Sequence, residues 1–234
     1  MATRLNKWLS QQGVCSRREA DRLIADGKVT IDGRVAVLGD AVENNAEVHV
    51  RGKSVRRVDT KVYIALFKPV GYITTMDEDK KDNVLSLIDV PQRVFPVGRL
   101  DVESSGLLLL TNDGELTNRL THPRYKHEKE YIVTVQDDIS KDELAQLQKG
   151  VMLEEGRTLP ADIRERSGGN RFAITLREGR NRQIRRMCEA IGHKVVALRR
   201  VRMATVSLGR MKQGEWRKLP PKEVADLRKA AGLK

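Results

Sequence analysis

The sequence predicts an α+β protein in two parts: a small basic unit of two helices and a short sheet, then a larger strand-rich unit. Three observations predict it. In the first unit, apolar residues recur at helical spacing twice and are followed by a hairpin signature. A polar, basic segment, RGKSVRRVDTK over residues 51–61, then interrupts the hydrophobic pattern as a linker. Beyond it strand-like stretches outnumber helices, which argues for a mixed, mainly antiparallel sheet rather than an alternating doubly wound one. The expected domains are residues 1–58 and 59–234.

Leu5, Trp8 and Leu9 give the first helix its apolar face, and Gly13 ends it. Ser16 followed by Glu19 is a capping-box pattern; it opens a second helix with a stripe of Ala20, Leu23 and Ile24 and a stop at Gly27. Val29 and Ile31 alternate with polar residues up to Asp32-Gly33, a two-residue hairpin turn, and Val48 and Val50 mark another strand. In the second unit KVYIALFKPVGYITT reads as a strand, a Lys-Pro break, a glycine turn and more strand. Leu107 to Leu110 is too short a run for a free-standing helix and fits a core strand. Leu116 and Leu120 place a short helix after the Asp113-Gly114 turn, and Tyr131, Val133 and Val135 alternate as a strand. ISKDELAQLQKG is a helix ending at Gly150, and ADIRER and RFAITL form a hairpin about Gly168-Gly169-Asn170. Finally, NRQIRRMCEAIG is a helix with Ile184, Met187, Cys188 and Ile191 on one face.

The 234 residues include 44 Lys and Arg against 32 Asp and Glu, a formal net charge of +12. Such a surplus attracts a polyanion at long range and releases counterions on contact, so nucleic acid is the expected partner. The longest aliphatic run, Leu107 to Leu110, falls far below the ~20 residues of a membrane span. The N-terminal MATRLNKWLSQQG has no continuous apolar core of the signal-peptide kind, so a cytoplasmic location is expected. Cys15 and Cys188 cannot form a disulfide framework, and His49, His122, His127 and His193 show no zinc-ligand spacing. No metal is expected.

The basic residues gather in two places. Arg4, Lys7, Arg17, Arg18, Arg22, Lys28 and Arg34 lie between or opposite the apolar positions of the first unit, tempered by Glu19, Asp21 and Asp26. From Arg177 through Lys212 there are 11 basic residues and 2 acidic ones, read as a phosphate-contacting strip that includes Arg180, Arg182 and Arg186. Arg185 sits at the edge of the apolar helix face, where a guanidinium can turn into a cleft and keep a carboxylate ionised. Asp101 stands where an apolar stretch gives way to a polar one. By position alone such an aspartate is a cap or turn residue more often than a nucleophile, and Glu103 two residues on fixes no pair geometry.

GRLDVESSGLLLLTND, KPVGYITT, EKEYIVTV and GRNRQIRRMC together resemble the RsuA-type pseudouridine synthases of ribosomal RNA. The block RLNKWLSQQGVCSRREADRLIADGKVTIDGRV resembles the S4 RNA-binding domain carried in front of such enzymes, and the likeness runs to about residue 224. The C-terminal part looks most like the large-subunit, RluF- or RluB-like members. The resemblance implies an isomerase that detaches uracil from C1′ of a chosen uridine, turns the base and rejoins it through C5, with no cofactor. It implies Asp101 as the essential carboxylate, either adding to C1′ or accepting a proton in a glycal-like route. It implies Tyr131 stacked on the target base, Arg185 paired with the aspartate, Lys68 and Pro69 shaping the cleft floor, and Arg99 near phosphate. The implied partner is ribosomal RNA or a ribosome assembly intermediate, met by a monomer that flips out its target base. The rival reading is a non-catalytic S4-domain protein of ribosome assembly, in which Asp101 is dispensable; a carboxylate-dependent hydrolase is disfavoured by the two basic surfaces.

Overall fold

The computed structural model describes residues 2–43, 45–56, 60–77 and 79–233. They divide into two compact units, one built mainly from the chain up to Val62 with Pro91–Val94 and Asn112–Gly114, the other from Tyr63 onward. The boundary expected between residues 58 and 59 lies outside the described residues.

In the first unit, helices α1 (Leu5–Gln11) and α2 (Arg17–Ala25) bury Leu5, Trp8, Leu9, Ala20, Leu23 and Ile24 in one cluster. Ser16 Oγ accepts the Glu19 backbone N–H at 3.1 Å and so caps α2. Strands β1 (Val29–Ile31) and β2 (Arg34–Val35) are joined by Asp32 and Gly33, both at positive φ (48° and 81°), the backbone demanded by a tight hairpin. Next come β3 (Val48–Val50) and β4 (Lys53–Ser54), giving the sheet order β2-β1-β3-β4. Strand β4 corrects the linker reading of residues 51–61. Arg51 and Gly52 also take positive φ, so Val50 pairs with Lys53 across a second tight turn that the basic composition hid.

The second unit runs β5 (Tyr63–Lys68), β6 (Ser105–Thr111), α3 (Gly114–Thr121), β7 (Lys129–Val135) and α4 (Lys141–Lys149). It continues through β8 (Asp162–Glu165), β9 (Arg171–Leu176), α5 (Gln183–Glu189), β10 (Val195–Met203), β11 (Trp216–Lys218) and α6 (Pro221–Ala230). The sheet order is β8-β9-β7-β10-β6-β5-β11, with the short strands Phe95–Pro96 and Val206–Ser207 alongside. Among the described residues only β10 and β6 are parallel neighbouring strands, so the fold is the expected mixed α+β. Every residue of β6 is buried, which is why Leu107–Leu110 shows no alternation. Leu107 and Leu109 pack with Leu116 and Leu120 of α3 and Leu227 of α6. Across the unit, Val133, Phe172, Leu147 and Met187 centre a second cluster.

Two expectations change here. The strand expected after Gly71 is reduced to one isolated bridge between Ile73 and Asn83. The strip from Arg177 to Lys212 contains β10, a nine-residue strand between β7 and β6, so much of it is interior sheet. Among the described residues no helix is long and apolar enough to cross a membrane.

Candidate active site

In the second unit the side chains of Arg99, Asp101, Lys129, Tyr131, Arg182 and Arg200 line one cleft of about 250 Å³. Asp101 opens a turn closed by the Ser104 N–H, which donates to the Asp101 carbonyl at 3.0 Å. That turn is held from several sides. Thr74 Oγ1 donates to the Leu100 carbonyl at 2.8 Å and accepts the Leu100 N–H at 3.2 Å. The Gly71 N–H donates to the Val102 carbonyl at 2.8 Å. Lys68, fully buried at the end of β5, donates to the carbonyls of Pro69 and Ser104 at 2.8 Å each and reaches that of Val102 at 3.5 Å. Burial pushes the Lys68 ammonium down to about 8, while the Asp101 carboxylate pulls it the other way. A cation therefore lies under the Asp101 turn at neutral pH.

The strand leaving this turn needs a glycine. At Gly106 φ is 108°, and a Cβ there would fall 2.1 Å from the Arg200 carbonyl oxygen of β10. The apolar run Leu107–Leu110 thus starts where two parallel backbones close up, just beyond the Asp101 turn.

Tyr131 lies on β7 opposite Ile174 of β9 and Arg200 of β10. Between Glu130 and Tyr131 the register with β10 slips, because Glu130 faces Arg202 and Val201 is passed over. Such a bulge re-aims the side chains beside it. Tyr131 is half-buried, packed on the apolar cluster through part of its ring and facing the cleft with the rest. It is a wall and a core residue at once.

Arg185 is buried, and its position differs from expectation. Its Nη1 donates to the Val195 carbonyl and its Nη2 to the Glu103 carbonyl, both at 3.1 Å, and its Nε stands 3.5 Å from the Glu103 carboxylate. Two carbonyls fix the plane of the guanidinium, so its remaining edge meets Glu103 and it makes no ion pair with Asp101. Arg182 donates to the same carboxylate at 3.0 Å, and its hydrogen bond and charge, with that of Arg185, hold Glu103 below the usual carboxylate range. Arg185 therefore holds the Asp101 turn through Glu103.

The cations expected to meet RNA fall into two groups. Arg4, Lys7, Arg17, Arg18, Arg22, Lys28 and Arg34 are all exposed on the first unit. Arg22, Lys28 and Arg34 pair with Glu19, Asp26 and Asp40 at 3.5, 3.0 and 2.8 Å, whereas Arg4, Lys7, Arg17 and Arg18 make no ion pair among the described residues. In the second unit Arg99 is exposed at the cleft. Arg180 is tied to Glu178 and to the carbonyls of Gly156 and Arg157, and Arg186 is tied to both oxygens of Glu155. Arg177 and Arg202 share Glu128. The strip is thus mostly a set of internal clamps. Two cleft residues escaped the sequence reading, Lys129 and Arg200. Lys129 was findable, since it precedes Tyr131 by two on an alternating strand; Arg200 was not, because bulges interrupt the period of β10. Among the described residues no group of three or more His, Cys, Asp or Glu is placed to hold a metal ion.

Comparison with known proteins gives the same partition. Residues 62–190 match the model of the RNA pseudouridylate synthases, and residues 3–48 match the S4 domain. The chain is 43% identical over 228 residues to the dual-specificity RNA pseudouridine synthase RluF of Salmonella typhi, covering 97% of this chain and 78% of that protein. It is 42% identical over 236 residues to the ribosomal large subunit pseudouridine synthase B of Bacillus subtilis (strain 168), covering 97% and 96%. Among solved structures, a crystal structure of a pseudouridylate synthase superposes with a TM-score of 0.71 at 30% identity, over 96% of this chain and 99% of that one.

Proposed function

This chain belongs to the RNA pseudouridylate synthase family and carries an S4 domain, and we propose that it isomerises a uridine of large-subunit ribosomal RNA at the Asp101 cleft. It is an isomerase that converts uridine to pseudouridine in ribosomal RNA. The large subunit as target is supported by the name of the Bacillus subtilis relative. The observation that carries the choice of Asp101 is its turn, whose flanking carbonyls are held by Lys68, Thr74, Gly71 and Arg185. A carboxylate on so fixed a turn is pre-positioned for chemistry at a single atom.

In this reading the uridine is flipped into the cleft, with its base against the Tyr131 ring. The C1′–N1 bond breaks, the base turns, and C5 joins C1′. Asp101 works on the sugar, as nucleophile at C1′ or as the base that takes the C2′ proton. Tyr131 steadies the freed base, and Arg185 is a positioning residue that acts through Glu103. The exposed cations Arg4, Lys7, Arg17, Arg18, Arg22, Lys28 and Arg34 hold RNA on the first unit, and Arg99 and Arg182 meet phosphates at the cleft mouth. The protein works as a cytoplasmic monomer on rRNA or on a ribosome assembly intermediate.

The test is to incubate the protein with unmodified large-subunit rRNA and map pseudouridine at nucleotide resolution. Wild type is expected to yield one or a few modified uridines. Asp101→Asn, nearly isosteric, is expected to lower the rate by about 10⁴-fold, the scale of losing a group that acts at the transition state. RNA binding should stay within threefold. Equal product from both proteins would remove Asp101 from the chemistry.

A further inference from the structure

The cleft ends on a guanidinium that the protein itself leaves incomplete. Arg200 is only 2% exposed, the first among the large, fully buried side chains. Its Nε donates to the Leu107 carbonyl at 2.7 Å, but its Nη2 is buried without a hydrogen-bond partner, and it forms no ion pair among the described residues. A buried cation with an unused donor is costly in the resting protein, and natural interiors pair such groups unless a ligand completes them.

Its placement says which ligand. Arg200 stands opposite Tyr131 in register on the neighbouring antiparallel strand, so the two side chains leave the sheet on the same face, that of the cleft. On its other side the neighbour is Gly106, where the two backbones lie too close for any side chain. Lys129, two residues before Tyr131, adds a second cation to this floor. Burial and then the Arg200 charge both push its ammonium down. Glu178, the carboxylate whose charge opposes that shift, already accepts from Arg180, Gln183 and the Leu159 N–H. The exposed Arg99, Lys126 and Arg182 line the mouth, where a backbone phosphate would pass. What reaches the floor of such a cleft is the flipped base.

We propose that Arg200 donates to a carbonyl oxygen of the flipped uracil and holds the negative charge that the base acquires as it leaves C1′. This rests on the Asp101 cleft being the uridine site. When C1′–N1 breaks, the bonding pair departs with N1 and spreads onto O2 and O4. The deficit at C1′ is met by an Asp101 carboxylate oxygen, or by loss of the C2′ proton to that carboxylate. After rotation C5 bonds to C1′, expelling the Asp101 oxygen with its bonding pair where it had added; C5 then gives up its proton and N1 takes one, so no atom is gained or lost. In the glycal route C2′ also recovers its proton. A guanidinium remains charged throughout and faces more charge in the broken state than in the bound one, so it favours bond breaking over binding.

The experiment measures single-turnover rates and RNA dissociation constants for wild type, Arg200→Lys and Arg200→Gln, on rRNA fragments carrying uridine or 5-fluorouridine at the target. Fluorine makes N1 more acidic and the base a better leaving group. Consumption of the target nucleoside should fall about 10²–10³-fold in Arg200→Gln on uridine, the scale of losing one donor to a developing anion. Arg200→Lys, which keeps the charge, should recover part of that rate, and dissociation constants should stay within threefold. The loss should shrink on 5-fluorouridine, because a better leaving group needs less help. A structural defect would slow both substrates alike. If Arg200→Gln does not fold, judged by circular dichroism, the substrate comparison is made on Arg200→Lys. An equal loss on both bases, or no loss, overturns the assignment to Arg200. Absence of pseudouridine with wild type overturns the reading of the whole cleft instead.

Discussion

The basic residues of the two units share a sign and little else. On the first unit Arg4, Lys7, Arg17 and Arg18 stand exposed with no ion pair among the described residues. In the second, Lys68, Arg185 and Arg200 are buried, and Arg177, Arg180, Arg186 and Arg202 are tied to carboxylates or carbonyls. The local charge imbalance is steeper in the second region, yet its cations are mostly occupied. A run of Lys and Arg therefore measures the field a segment contributes, not the number of phosphates it touches. Cations held inside the fold set the shape of the site; cations left free set the grip on RNA.

The largest expected effect comes from the most buried of the occupied cations. Lys68→Met removes the donor that satisfies the Pro69 and Ser104 carbonyls, and leaving such groups without partners costs roughly 2–4 kcal/mol. Urea denaturation should show that loss, together with a lower rate of pseudouridine formation. The pH dependence has a definite sign. In the folded protein Lys68 titrates near 8 instead of the ordinary 10.5, so between those values the unfolded chain holds more protons. Wild-type stability relative to Lys68→Met should accordingly rise from pH 8 to 10.5, and that gain is lost as pH falls through 8. A difference that stays flat across this window would mean that Lys68 is not desolvated under the turn.

Much of the fold was readable because local chemistry and packing agree. Helices α2 and α4 show both a capping serine and an apolar stripe, α1 shows the stripe and a glycine stop, and Asp32-Gly33 can do little but turn. Strand β10 was hidden for a physical reason. Its register slips near Val196 and Val201 break the period of two, and Arg199, Arg200 and Arg202 look like surface until their partners are known. The site divides the same way. Asp101 and Tyr131 were reachable through motifs, and the alternation of β7 also brings in Lys129. The burial of Lys68 beside a proline, and the attachment of Arg185 to Glu103, depend on contacts 36 and 82 residues apart in sequence, which no local pattern encodes. The tail after Met203, with β11 and α6, went unread because β11 has a single apolar residue, Trp216, and α6 fully buries only Leu227.

The free cations give the next effect. Replacing Arg17, Arg18 and Arg22 together with alanine should weaken RNA binding and leave the thermal melting of the protein nearly unchanged. If each arginine meets one phosphate, the slope of log affinity against log salt should flatten by roughly two to three, at 0.7–0.9 per contact. Arg22 contributes least, because it must leave Glu19 to bind. Titrations at several salt concentrations decide it; an unchanged slope would take this face of the first unit off the RNA.

The smallest effect is the most telling, because it is an expected absence. Arg186 sits in the steepest basic run of the chain, and by composition alone it should count as a phosphate contact. Its guanidinium instead meets both Glu155 oxygens, at 2.8 and 2.5 Å, and also donates to the Asn181 carbonyl at 2.9 Å. The Arg186 hydrogen bonds are the first cause that draws the Glu155 carboxyl down to about 2, so the pair stays ionised throughout the pH range in which RNA is bound. A phosphate would have to displace a bidentate carboxylate to reach this arginine. Arg186→Gln should therefore leave both RNA affinity and the salt slope within error of wild type, measured beside the triple variant. A slope that falls by a full contact would show that Glu155 yields to RNA, and the distinction between occupied and free cations would then fail at the position where it is drawn most sharply.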